Sequence, residues 1–180
     1  TRKIMPSEYN QGICELKESI VEIYDTTFMN FEPSEQSDWE EVNTGFIDIT
    51  DLIHQYNNEN PEYEIAGDTD TDLDTIQAFI RDNNVDNYNR AIESLTTIKD
   101  FLIEKCNEYT IYYQDLITEA DNLFDSADYE NALVKYQEGV DLNPNDAHPS
   151  TRIDEINVLQ SATEEVKKYS SPYPIGFSSV

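Results

Sequence analysis

The stretch from Tyr113 to Asp146, YQDLITEADNLFDSADYENALVKYQEGVDLNPND, decides how the chain is read. Its residues specify two helices that approach closely. Ala120 leaves room where the helices meet, and Leu123 and Phe124 supply bulk near the end of the first. Asp128-Tyr129 opens the second. Ala132 and Tyr136 then stand on one helical face, a small notch beside a large knob. Pro144 stops the second helix, because proline disfavours helix in the residue before it and has no amide for the hydrogen-bond ladder.

The ordered set Ala120, Tyr129, Ala132, Tyr136 and Pro144 resembles a tetratricopeptide (TPR) repeat, a helix-turn-helix unit. The likeness runs on through Asp146-Ala147-His148-Pro149 to Arg152-Ile153-Asp154-Glu155-Ile156, where the wording is similar to that of TPR proteins of the Bacteroidota cell envelope. Two positions depart from the pattern. Glu119 stands where leucine is usual, and Gly139 where alanine is usual; the second costs about 1 kcal/mol of helix propensity. The resemblance implies a groove lined by Ile117, Asp121, Asn122 and Phe124. Repeats that clamp a carboxylate carry lysine and asparagine on this face, whereas Ile117 and Asp121 stand at the matching positions here. The implied partner is therefore a neutral, apolar or basic protein or peptide.

Composition sets the outer limits. With 38 acidic and 11 basic residues, the net charge is −27. Nucleic-acid binding rests on cationic side chains meeting phosphate, so it is disfavoured, as is an anionic membrane surface. Only five glycines and seven prolines punctuate the chain, and two-residue alternation is scarce. Both features predict an all-α protein. No apolar run approaches the roughly 20 residues that span a bilayer. Cys14 and Cys106 lie far apart, so the sequence indicates no disulfide framework and leaves the redox compartment open. The chain begins at Thr1, compatible with a leader cut away.

Working outward, the periodicity predicts a first helix over Ser7–Asn30, with Ile13, Leu16, Ile20, Ile23 and Thr27/Phe28 inward, ended by Phe31-Glu32-Pro33-Ser34. A capping box of Ser37 and Glu40 opens the next helix. Trp39, Val42, Phe46, Ile49, Ile53 and Tyr56 form its seam, against the first helix. A short helix over Asp72–Asn83 follows, with Leu73, Ile76, Phe79 and Ile80 inward. From Tyr88 to Leu123 the apolar steps of three and four run without glycine or proline, which predicts one long helix from about Asp86 to Ser126, or two helices with at most a slight bend near Tyr109-Thr110. Asn87-Tyr88-Asn89-Arg90-Ala91-Ile92 echoes Asp128–Leu133, so a worn second repeat with Asp72–Asn83 as its first helix stands as an alternative, against which the unbroken seam counts. A last helix begins at His148-Pro149-Ser150, with Ile153, Ile156, Leu159, Ala162 and Val166 as its inner face, covering the open side of the hairpin.

The resulting organisation is a helical bundle: 1–60 an N-terminal hairpin, 61–71 an acidic linker, 72–169 the long helix with the TPR-like hairpin and its capping helix, and 170–180 an extended tail. Tyr173, Ile175 and Phe177 in that tail form a candidate linear motif.

Signs of catalysis are thin. The histidines, His54 and His148, are far apart, and no phosphate loop, nucleophile elbow or close-set cysteine pair appears. The run Asp68-Thr-Asp-Thr-Asp-Leu-Asp74 starts like a calcium loop, with Asp68, Asp70 and Asp72 as weak metal candidates. Leu73 and Phe79 replace its required glycine and glutamate, and aspartates also suit a helix N-terminus. No cofactor is expected. The sequence thus predicts a non-catalytic interaction module, an adaptor or accessory subunit of a larger assembly; the resemblance leaves the compartment open and favours the bacterial cell envelope or periplasm over the cytoplasm. The alternative is an acidic cation-binding or nucleic-acid-mimicking inhibitor.

Overall fold

The computed structural model describes residues 7–29, 31, 36–65, 68–82 and 84–169, with backbone alone for 36–38, 68–71 and 169. Among them are six α-helices and no strand, so the protein is an all-α helical bundle. The helices are α1 (Gly12–Ile23), α2 (Gln36–Glu59), α3 (Asp68–Arg81), α4 (Val85–Asp125), α5 (Tyr129–Leu142) and α6 (Ala147–Tyr169). Contacts divide the chain into two compact units, Thr1–Tyr112 and Tyr113–Val180. The calcium-like aspartates Asp68, Asp70 and Asp72 sit on helical backbone in α3 rather than in a loop. The tail motif Tyr173, Ile175 and Phe177, the stop Glu32-Pro33-Ser34 and the Ser37 side chain lie outside the described residues.

In the first unit, the inner faces follow the apolar spacing. Ile13, Leu16 and Ile20 of α1, Val42, Phe46, Ile49, Ile53 and Tyr56 of α2, and Leu73, Ile76 and Phe79 of α3 are buried. They close on Leu95, Ile98, Leu102 and Tyr109 from the N-terminal part of α4, also buried. Helix α1 starts five residues later than its periodicity predicts, at Gly12, because the Asn10 side chain accepts the Gly12 N–H at 3.1 Å and holds a turn there. After Ile23 the backbone widens into a π-helical turn, Tyr24–Phe28. That turn sets Phe28 against Phe46, ring centroids 4.6 Å apart. Residues 57–65, polar in sequence, are tied down: Asn57 donates to the Ile65 carbonyl at 3.1 Å and accepts the Ile65 N–H at 2.8 Å.

One expectation is overturned in this unit. Cys14 and Cys106 form a disulfide, with Cα atoms 4.9 Å apart. Cys106 continues the apolar seam of α4, whereas Cys14 is not among the positions that the spacing of α1 turns inward; both are buried. Their separation of 92 residues carries no pairing signal, since only the fold brings the two helices together.

Candidate interaction surface of the second unit

The second unit is the C-terminal part of α4, then α5 and α6. Helix α4 ends in a left-handed turn: Ala127 has φ of 60°. The Asp128 N–H reaches the Leu123 carbonyl and the Ala127 N–H the Phe124 carbonyl, each at 2.9 Å, which satisfies two carbonyls at the helix end. Asp128 then caps α5, its side chain accepting the Asn131 N–H. Asp146 does the same for α6, accepting the His148 N–H at 3.0 Å.

The two helices nest as the small residues dictate. Ala120, Ala132, Tyr136 and Ile156 form one fully buried cluster, flanked by Ile117, Leu123, Phe124, Tyr129, Leu133 and Ile153. Gly139 is buried beside Ile117, and a Cβ placed there would stand 2.8 Å from the Ile117 Cδ1. On the outside, Lys135 Nζ lies 3.3 Å from Glu119 Oε2. Glu119, a departure from the repeat pattern, thus finds its cation on α5.

A polar fastener joins all three helices. The Asp121 carboxylate on α4 accepts the hydroxyl of Tyr136 on α5, and His148 Nε2 on α6 donates to the same oxygen at 2.8 Å. Burial, then the Asp121 hydrogen bond, raises the Tyr136 hydroxyl well above the ordinary tyrosine range. Nearby, Tyr113 donates to Asp146 Oδ2 at 2.7 Å. That bond first, and the His148 N–H second, hold the Asp146 carboxyl below its ordinary value of 3.8.

Of the four groove candidates, Ile117 packs into the buried cluster and Asp121 serves the fastener. Phe124 lies under the Arg152 guanidinium, 4.4 Å from its ring centre, and edge-on to Tyr129. Asn122 is exposed. The structure therefore brings Ile117, Asp121 and Phe124 together around α5 and α6, with Asn122 apart from them. Sequence reasoning placed Tyr136 as a knob and His148 at a helix start, but missed their shared acceptor. Spacing cannot reveal a bond between three separate helices. Among the described residues no group of three or more His, Cys, Asp or Glu side chains is arranged to hold a metal ion.

The expected inner face of α6 needs correcting. Ile156 is buried and Ile153 partly so, but Leu159 is 39% exposed, Val158 68%, and every residue from Asn157 to Lys168 is exposed. Rotation is one part of the reason; the other is length, since Gln160, Thr163 and Lys167, on the side that carries Ile156, are exposed as well. Ile153, Ile156, Leu159 and Ala162 follow at three-residue steps, and each such step falls about 60° short of a full turn. After three steps the apolar residue has moved to the opposite side of the helix. Val158 and Ala162 border a shallow depression on that outward side, with Asn157, Ser161 and Glu165.

No protein-family model, curated protein or solved structure matches this chain.

Proposed function

We propose that the chain is a non-catalytic, TPR-like interaction module, an adaptor or accessory subunit that holds another protein on its second unit. One observation carries this reading. The distal half of α6 presents Val158, Leu159 and Ala162 to solvent on a helix whose proximal half is already fastened by Ile153, Ile156 and His148. A fixed helix with an uncovered apolar strip is a docking element rather than a reaction centre. The Asp121 fastener is consistent with this role, because its carboxylate is committed to Tyr136 and His148. The buried Cys14–Cys106 disulfide favours an oxidising compartment such as the cell envelope, since such bonds are rare in the cytosol. In the same reading, no helix among the described residues is long and apolar enough to cross a membrane.

The test is photocross-linking in the native organism. A photoreactive residue replaces Val158 in one strain and Glu130, exposed on α5, in another. A discrete protein adduct at 158 and not at 130 is expected. Equal labelling at both positions, or none at 158, contradicts the reading.

A further inference from the structure

We infer that the uncovered strip of α6 receives a cationic amphipathic helix of another protein, whose basic side chains reach Asp154 and Glu165 across a small apolar middle. The inference rests on the interaction reading and names the chemistry of the partner.

Successive turns bring Asp154, Val158, Ser161, Ala162 and Glu165 to one side of α6, all five exposed. At 3.6 residues per turn they fall within an arc of about 100°. Along the strip the order is acid, apolar, small, small, acid. Val158 offers apolar contact, and Ser161 and Ala162 are short enough to let a second helix axis come close. Asp154 and Glu165 are eleven residues apart, roughly 16 Å along the axis.

The remaining charges of α6 do not cancel these two acids. Arg152 is committed to Glu155 at 2.7 Å and lies over the Phe124 ring. Lys167 falls on the side of Ile156, away from the strip. Lys168 stands within about one turn of both Glu164 and Glu165, one base for two acids, so negative charge is left over at that end. Among the described residues no salt bridge engages Asp154 or Glu165. The body adds the same sign, with 38 acidic against 11 basic side chains in the chain. Such a strip repels phosphate, anionic lipid and acidic protein surfaces, and draws in a base.

The partner's backbone form follows from what α6 offers. An extended segment laid on a helix would bury N–H and C=O groups against a face that has no ladder to pair them. A helix arrives with those groups already bonded. The matching helix carries Lys or Arg eleven residues apart, about three turns, with small and aliphatic residues at steps of three and four between them. An acid at each end of the strip accepts that helix in either direction.

Fluorescence anisotropy of a labelled synthetic helix, titrated with the full chain, tests this. The probe is an alanine-based peptide of about 20 residues, with two lysines eleven apart and leucines between them on the same side. The control has the same composition with the lysines moved to adjacent turns. The spaced peptide should bind about fivefold or more tightly than the control, and raised salt should weaken it. Asp154→Lys and Glu165→Lys should each weaken it about fivefold or more, whereas Asp141→Lys, an exposed reversal at the end of α5, should change it by less than about twofold. Exchanging one lysine of the peptide for glutamate should restore binding to Glu165→Lys. Circular dichroism confirms that each variant keeps its helix content. No binding, equal binding of the two peptides, or equal weakening by the reversal at 141 overturns the proposal, the last two showing only general attraction to an acidic chain. The cross-linking at position 158 separates the two readings. A protein adduct there without peptide binding removes the cationic helix and keeps the interaction module. No adduct and no binding removes both.

Discussion

Ile117 fills the space that a side chain at Gly139 would need, its Cδ1 lying 2.8 Å from where a Cβ would stand. The glycine that departs from the repeat pattern is therefore matched by an isoleucine on the facing helix. Glycine costs α5 about 1 kcal/mol of helix propensity, whereas alanine there forces the end of Ile117 into a poorer rotamer at similar cost. Gly139→Ala alone is expected to change stability by less than about 0.5 kcal/mol, the two effects cancelling. In an Ile117→Val background, which removes the Cδ1, the same change should stabilise by about 1 kcal/mol. A urea double-mutant cycle reads the difference. Equal effects in both backgrounds would mean that the two positions are not coupled.

The Cys14–Cys106 bond closes a loop spanning 92 residues of separation. Constraint of the unfolded chain by a loop of this size is worth about 4–5 kcal/mol in the chain-entropy treatment, and native disulfides typically cost 2–5 kcal/mol to remove. Replacing both cysteines by alanine should lower unfolding stability by about 2–5 kcal/mol. Reducing agent should lower the wild-type Tm and leave that of the double variant unchanged. Equal Tm values for oxidised and reduced wild type would contradict the pairing.

Ala127 holds a left-handed backbone conformation, φ 60°, with a Cβ that glycine would not carry. For an L-residue that conformation costs roughly 1–2 kcal/mol, and part of the gain from glycine is lost to its freer unfolded chain. Ala127→Gly is expected to stabilise the second unit by about 0.5–1 kcal/mol. Thermal or urea unfolding checks the sign, and a destabilised variant would refute this geometry of the α4–α5 turn.

Asp146 carries a pH dependence with a definite sign. Its carboxyl lies below 3.8 in the folded protein, chiefly through Tyr113. The stability it contributes is fully present above the unfolded value and is lost as pH falls through the folded one, that is, from about pH 5 downward to below 3.8. Tyr113→Phe should move the Asp146 titration upward toward 3.8, leaving it on the low side because the His148 N–H remains. The acid loss of stability attributable to this group should shrink accordingly. Side-chain carboxyl NMR follows the titration directly, and an unmoved Asp146 would exclude the tyrosine as its main partner.

Much of this architecture is written in local order. The unbroken apolar steps from Tyr88 to Leu123 specify a single long helix, and α4 runs from Val85 to Asp125. Val42, Phe46, Ile49, Ile53 and Tyr56 point inward as their spacing requires. What the sequence hides is whatever depends on distance through space. The Cys14–Cys106 bond joins residues that share no local pattern. The Asp121 carboxylate, read as one wall of a groove, has partners on two other helices. Helix α6 fails differently: its apolar residues look continuous, but three-residue steps rotate them away from Ile156, and past Ile156 even the residues on its own side are exposed. The lower edge of α1 moved for a simpler reason: no inward position of the period precedes Ile13, and the Asn10 turn fixes the start at Gly12.

Hydrogen exchange along α6 in the isolated protein tests the account most directly. Amides of the fastened half, up to Ile156, should be protected. Those from Asn157 to Lys168 should exchange faster, and slow only when a captured partner covers Val158 and Ala162. Strong protection across the distal half of the isolated protein would show that this face is already covered, and would contradict the account.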